Sequence, residues 1–477
     1  MLAAALATIA IVSQDQSALR AAPRESAPRQ AVLWQGDSLE VRGQKGDYLQ
    51  VYDHRRERAG YVRATQVRNQ SLTPESAPEL LSVVRFLRDM PGSEALGISY
   101  VATYLRAAPA AAINGEAFDA LGTMAERLAR RASANRANTA NDMVAAHLEV
   151  AASYGVGMAS FERNGQMQLC YNGDAHRRVL AMPATDNQKA TAALALTRED
   201  CISPTLPPVE RFALDNWRAE VLDRIETRDL PEVLKNRLRL RKASVWASLA
   251  YQRARRPEFA PAALQAAGSR ALSELAAINK SELMETDEAA YNDAAIRVGA
   301  SRWAAEPTLA RNTAQAPTKL SIAVSPGQPG ETCVHLVDAK HDQTKPLLTR
   351  CTFSVVWPAS ATTNAQGTAL ALAVQPLDTW REMWLFRQGQ AGWDVQALPP
   401  ALDNPNLGYV EFAGWVPGNT QMLTARETRV EDRYKRSFDL RRMDTLAVEK
   451  QADKPNNLST FYRWQSPAWK GQTVSVR

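Results

Sequence analysis

The spacing of apolar residues changes period twice along the chain. From residue 8 to 70, apolar and polar residues alternate, which predicts short β-strands. Val32, Leu39, Val41, Leu49, Val51 and Val62 form the inward set, and Gly36-Asp37, Gly43 and Gly46-Asp47 supply turns. About sixty residues of this kind suit a small barrel.

From 73 to 307 the period is helical. Thr73-Pro74 reads as an N-cap with proline in the first turn, and "ELLSVVRFLRDM" repeats apolar residues at three-four spacing. Long runs follow at 115–132, 137–160, 187–200, 208–227, 231–254, 260–279 and 287–304, with Asp229 and Glu232 placed as a capping box. Alanine-rich helices in succession predict a central all-α array, a solenoid or a bundle. Glycines 165 and 173 bound a non-helical piece, "FERNGQMQLCYNGDAHRRVLAM".

After the polar linker "EPTLARNTAQAPTK" the period returns to two, and strands are readable from "KLSIAVS" to "TVSVR", which predicts an all-β module over 317–477. An order of apolar strand, Trp, Pro, polar turn and second strand occurs three times, around Trp357, Trp415 and Trp464. This echo resembles the blade repeats of β-propellers and implies a propeller-like or sandwich module, with the tryptophans as core wedges.

A chain of 477 residues is long enough for about three domains. Its 57 basic and 51 acidic residues leave a net charge of +6, too dilute to read as a nucleic-acid stripe and compatible with an anionic cell envelope. The four cysteines fall into two local pairs, Cys170 with Cys201 and Cys333 with Cys351. Paired spacing without zinc-type clusters suggests two disulfides and an oxidising compartment; four unrelated buried thiols is the other reading. The opening "MLAAALATIAIV" looks like the tail of a secretory signal peptide with Ala5-Leu6-Ala7 as its cleavage motif, residues 1–7 being the remnant and Ile9 to Val12 already strand. No later segment is apolar and long enough to cross a membrane.

The N-terminal strands carry a second resemblance. "SALRAAP" (Ser17 to Pro23), "AVLWQGDSLEV", "GDYLQV" and the closing "AGYV" (Ala59 to Val62) resemble bacterial SH3-like domains. Tyr48 and Tyr61 stand where that family usually carries Trp, and "DHRRER" (Asp53 to Arg58) inserts a charged hairpin tip. The resemblance covers about an eighth of the chain and implies a barrel of the kind that binds cell-wall peptide or glycan.

Motifs for catalysis are missing: there is no G-x-S-x-G elbow, no phosphate-binding loop, no H-E-x-x-H and no dinucleotide fingerprint. Of the five histidines, His147 and Glu149 lie on different faces of one helix, and only His335 and His341, with Asp338 between them, have a spacing a hairpin can close. No metal or other cofactor is expected. The basic helix from Leu234 to Arg256 reads as a solvated face laced with ion pairs, the other reading being a docking surface for an acidic partner or phospholipid. On the sheet, Tyr48 and Tyr52 share the face opposite Leu49 and Val51. With Tyr61, Asp47 and Arg63 they suit a peptide or sugar ligand, unless the rings seal the barrel against the helices.

The expectation is therefore a multidomain α and β protein, secreted or periplasmic, with an SH3-like barrel at 8–70, a helical domain at 73–307 and a propeller-like domain at 317–477. Its expected role is non-enzymatic, binding peptidoglycan or envelope proteins. The alternative is a peptidoglycan hydrolase with a site between helical and β domains.

Overall fold

The computed structural model describes all residues except 1–7, 135–139, 164, 307–319, 403–406, 432 and 473–477. The signal-peptide remnant, most of the linker and the strand expected at "TVSVR" lie outside the described residues. The chain has an N-terminal β region, a central helical region and a C-terminal β region, and divides into two compact units. The first comprises residues 1–207 and 223–230, the second 208–222 and 231–477, so the helices belong partly to each.

In the first unit, seven strands form one sheet: β1 (Thr8–Val12), β2 (Ser17–Arg20), β3 (Arg29–Leu33), β4 (Ser38–Lys45), β5 (Tyr48–Asp53), β6 (Arg58–Arg63) and β7 (Val67–Ser71). Their order is β3-β2-β6-β5-β4-β1-β7. Helices α1 (Ala77–Arg88), α2 (Glu94–Ala107), α3 (Gly115–Ala134) and α4 (Ala140–Ser153) follow, then the hairpin β8 (Met158–Arg163) and β9 (Gln166–Tyr171), then α5 (Asp174–Ala181) and α6 (Asp186–Leu196).

Strand β1 joins sheet and helices because it is apolar on both faces. Ala10 and Val12 enter the sheet core with Leu19, Leu33, Leu39, Leu49, Val51 and Val62. Ile9 and Ile11 enter a second core with Leu80, Val84, Ile98 and Met124. Full burial of such side chains stabilises by about 1.5–3 kcal/mol each, which ties the sheet to α1–α4. Polar contacts complete the seam. The tip at 53–58 folds inward: Arg56 bridges buried Asp37 and Asp53 at 3.0 and 2.7 Å, while Arg55 joins Asp37 to Glu149 of α4. Gly36 has φ +89°, and a Cβ there would meet the Ala95 carbonyl oxygen at 2.4 Å. Only glycine allows this close approach, and Tyr154 then donates to the Gly36 carbonyl at 2.7 Å.

The disulfide Cys170–Cys201 ties β9 to the segment after α6. The capping box expected at Asp229 and Glu232 is absent: Pro231 begins the next helix without a side-chain cap. A reciprocal box forms instead at Thr185 and Gln188. Proline already restricts the backbone at the first site, whereas Thr185 has a free hydroxyl and a Gln three residues on.

The second unit contains α7 (Pro208–Asp223), α8 (Glu232–Ala254), α9 (Pro261–Ala276) and α10 (Glu288–Ser301). Strands β10 (Ser321–Pro326), β11 (Thr332–Val337) and β12 (Leu348–Thr352) make a three-stranded sheet. An eight-stranded sheet follows: β13 (Val355–Thr363), β14 (Ala369–Leu377), β15 (Trp380–Gly389), β16 (Gly392–Leu398), β17 (Leu407–Trp415), β18 (Gln421–Val430), β19 (Arg433–Arg442) and β20 (Val448–Ala452). It consists of two antiparallel four-strand meanders, β13–β16 and β17–β20, joined by two parallel pairs, Trp380 with Gly408 and Arg381 with Tyr409. Cys333 and Cys351 are cross-strand partners in β11 and β12 and form the second disulfide.

Trp357 is buried and its indole donates to Gln375 at 3.1 Å; Trp415 is half-buried against Phe412. The third tryptophan departs from the expected echo. "TFYRW" is not a strand but part of α11 (Ser459–Trp464), followed by α12 (Pro467–Gln472), and Trp464 is exposed. The helical turn is favoured because it brings Phe461 and Trp469 together against Phe438, with ring centres 5.2 to 6.3 Å apart.

Helices α8 to α10 pack on the sheet of their own unit. Tyr251 donates to the Pro376 carbonyl at 2.8 Å, and Ser248 to Asp378 at 3.1 Å. Beneath α10 lies a charged triad: Arg302 bonds Glu411, and Arg381 Nη2 sits 3.6 Å from the other oxygen of that carboxylate. Arg381 is fully buried and none of its three side-chain nitrogens finds an acceptor within hydrogen-bond distance. Burial pulls its pKa down to about 10, against the Glu411 charge, so the guanidinium stays charged at neutral pH.

Candidate functional site

Strand register places the predicted tyrosines. In β5, Tyr48, Gln50 and Tyr52 alternate with Leu49 and Val51, which fill the sheet core. Tyr61 of β6 pairs with Gln50, and Arg20 of β2 pairs with Tyr61. Tyr48, Tyr52 and Tyr61 therefore share one outward face, with Gln50 beside Tyr61.

Exposure divides the three. Tyr48 is 7% exposed, its hydroxyl donating to Glu25 at 3.2 Å and Arg63 standing over its ring at 5.6 Å. Glu25 also accepts from Arg63 and from Arg20, and these bonds hold its carboxyl below the ordinary range. Tyr48 thus buttresses the face and offers little area to a ligand. Tyr52 and Tyr61 are half-buried. Arg42 lies over the Tyr52 ring at 4.2 Å, and His54 meets that ring edge-on at 4.9 Å. Glu40 accepts from Arg42 at 3.1 Å and lies 2.7 Å from His54 Nε2, and these two bonds keep its carboxyl below its usual value.

The hydrogen bonds and ring contacts of Tyr48 and Tyr52 are made to residues of the N-terminal sheet and its loops. The seam to the helices runs elsewhere, through Ile9, Ile11, Gly36 and the 53–58 tip. Arg20 and Arg42 were not singled out by sequence pattern. Arg42 is the extra residue at a register shift between Val41 and Gly43, where an irregularity re-aims a side chain, whereas Arg20 follows the ordinary alternation of β2. The resulting surface joins π-faces, guanidinium planes and one amide. It can stack on a planar or ring-shaped ligand and hydrogen-bond its polar edge.

The other candidates have local partners. His335 lies between Ser325 and Thr349, at 2.8 and 3.0 Å, and His341 pairs with Asp338 at 2.8 Å. Glu331, Cys333 and Cys351 form the one three-residue cluster of metal-ligand type among the described residues, and its sulfurs are joined in the disulfide. His176 is buried against Gly122 and Tyr171, and burial pushes its pKa down. On the basic helix α8, Arg237 pairs with Asp287, Arg239 with Glu232, and Arg255 with the Tyr251 hydroxyl, while Arg253 and Arg256 stack over Trp246 and Phe212. These cations serve packing inside their own unit.

No family model, curated protein or solved structure matches the chain.

Proposed function

We propose that the protein is a non-enzymatic, extracytoplasmic binding module of a bacterial cell envelope, and that its N-terminal sheet is an SH3-like domain holding the ligand. The observation that carries the reading is the shared outward face of Tyr52, Tyr61 and Gln50, flanked by Arg20 and Arg42. Such a face suits a glycan ring or peptide amide of the cell wall. Two disulfides support an oxidising compartment, and no described helix is long and apolar enough to cross a membrane. The C-terminal region is read as propeller-like, on the strength of its two four-strand meanders with Trp357 and Trp415 on their first strands.

The test is retention on purified peptidoglycan. The double variant Tyr52→Ala, Tyr61→Ala should lose at least about tenfold in retention while its unfolding midpoint stays near that of the parent. Undiminished retention by the double variant overturns the assignment of the face. Clearing of peptidoglycan in a zymogram overturns the non-enzymatic reading in favour of a hydrolase.

A further inference from the structure

A groove of about 360 Å³ runs in the second unit between α10 and the strands β18 and β19, and it does not belong to the tyrosine face. Its helix wall carries Tyr291, Asn292, Ala295 and Ile296, which fall on one side of α10 at one-turn spacing. Ala295 and Ile296 are buried, so they make an apolar floor, while half-buried Tyr291 and Asn292 rise beside it.

The strand wall is held in place before any ligand arrives. Tyr434 reaches across to α10, its hydroxyl 2.7 Å from Asp293 and 3.0 Å from the Ala289 carbonyl. Arg429 bonds the same Asp293 at 2.9 and 3.0 Å. Glu427 is buried and accepts from the Tyr409 hydroxyl at 3.1 Å and from Arg436 Nε at 2.9 Å. That bond fixes the Arg436 guanidinium by its inner edge, and the two terminal nitrogens make no hydrogen bond among the described residues. Lys435 and Lys454 stand at the same groove, both exposed and neither in an ion pair among the described residues. With the Glu427–Arg436 pair set aside, the lining holds two lysines against one carboxylate, Asp453, a net positive charge of one.

Fixed guanidinium edge, free amines, amide and apolar floor are the parts needed for one ligand class. We infer that the groove binds the C-terminal end of a short peptide. The carboxylate meets Arg436, Lys435 and Lys454; Asn292 addresses the last peptide amide; a small apolar side chain rests on Ala295 and Ile296 against Tyr291. A guanidinium presenting two N–H groups side by side matches a carboxylate bidentately. The volume lies within the range of small-ligand sites and admits about two or three small residues.

The probe is N-acetyl-alanyl-alanine, compared with its C-terminal amide and with inorganic phosphate, by saturation-transfer NMR and calorimetry on the full chain. The free acid should bind, and the amide should bind at least about tenfold more weakly, because it lacks the charge. The charge-reversed variant Lys435→Glu, Lys454→Glu should lose the acid by a similar factor. Both lysines are exposed, so its unfolding midpoint should stay near the parent value. Absence of binding at millimolar probe, equal binding of acid and amide, or binding that survives the reversal overturns the inference. Phosphate binding as tightly as the peptide acid also overturns it, leaving a site for small anions. None of these outcomes depends on the tyrosine face or on peptidoglycan retention, so the two readings fail separately.

Discussion

Nε2 of His147, on α4, lies 2.8 Å from Oδ1 of Asp15, in the loop between β1 and β2. The other ring nitrogen faces Arg131 Nη2 at 2.9 Å; Arg127 donates to Oε1 of buried Glu94, and Arg131 is ion-paired with its Oε2. An arginine only donates, so Nδ1 accepts and the ring proton sits on Nε2, directed at Asp15. Sheet and helices of the first unit are thus joined by a polar chain as well as by Ile9 and Ile11.

The chain predicts an acid-side loss of stability. For Asp15, burial acts to raise the pKa, but bonds from His147 and from the Gln35 amide and the nearby positive charges outweigh it, and the carboxyl is held low. For Glu94, burial is outweighed by the Gly92 amide, Arg127 and Arg131. Folded-state values below the unfolded ones give stability that is complete above the ordinary carboxylate range, about pH 4, and lost as pH falls through the lower folded values. His147→Ala should cost about 2–3 kcal/mol at pH 7 and flatten the fall below about pH 4. Urea unfolding at a series of pH values checks both, and an unchanged acid slope refutes the role of His147.

Gly36→Ala should cost about 2–4 kcal/mol, combining left-handed backbone with a clash at Ala95. Gly36→Asn relieves the backbone part but not the clash, so it should remain well below the parent in unfolding midpoint. Recovery to parental stability with Asn would mean that the close approach is unimportant.

Glu411→Gln should destabilise by about 3–5 kcal/mol, because two buried arginines lose their counter-charge. Arg381→Met should cost much less than Glu411→Gln, since it removes a buried charge without acceptors while Glu411 keeps Arg302 as its counter-charge. Equilibrium denaturation separates the two, and an equal loss in both variants would show that Arg381 contributes binding energy after all.

Non-reducing peptide mapping should recover Cys170 linked to Cys201 and Cys333 linked to Cys351. The first bridge closes a separation of 31 residues and should contribute about 3–4 kcal/mol on the loop-entropy estimate, read from the unfolding of the Cys170→Ser, Cys201→Ser protein. Mass spectrometry of the native protein should place its first residue no later than Thr8, because β1 is buried on both faces. Free thiols would refute the oxidising compartment, and a start inside β1 would show that this strand is not needed for the fold.

Much of this architecture is legible in period alone. Alternation put Leu49 and Val51 inward and Tyr48 and Tyr52 outward, and helical spacing located α3 and α6 to α10 to within a few residues. What period does not carry is the identity of the neighbour. Arg42 covers Tyr52 because a register shift re-aims it, and no count of apolar residues reveals a shift. Arg56 belongs to the charged hairpin tip, and nothing in its pattern shows that it pairs with Asp37, nineteen positions away in sequence. Helix patterning shows which side is buried, not against what, so the division of the helices between two units was hidden. "TFYRW" is too short for either period to decide, and its aromatic neighbours chose the helix.

That division has a consequence for how the protein can be taken apart. The chain passes from the first unit to the second after residue 207, returns for residues 223–230, and leaves again at 231. A protease nick at any one of these crossings leaves the other two intact, so a single cut does not release either unit as a continuous piece. A fragment ending at 207 lacks an eight-residue strip of its own unit, and one beginning at 231 lacks α7. Gene fusions, split reporters and domain swaps made at a simple boundary would each carry that defect, whichever side they keep.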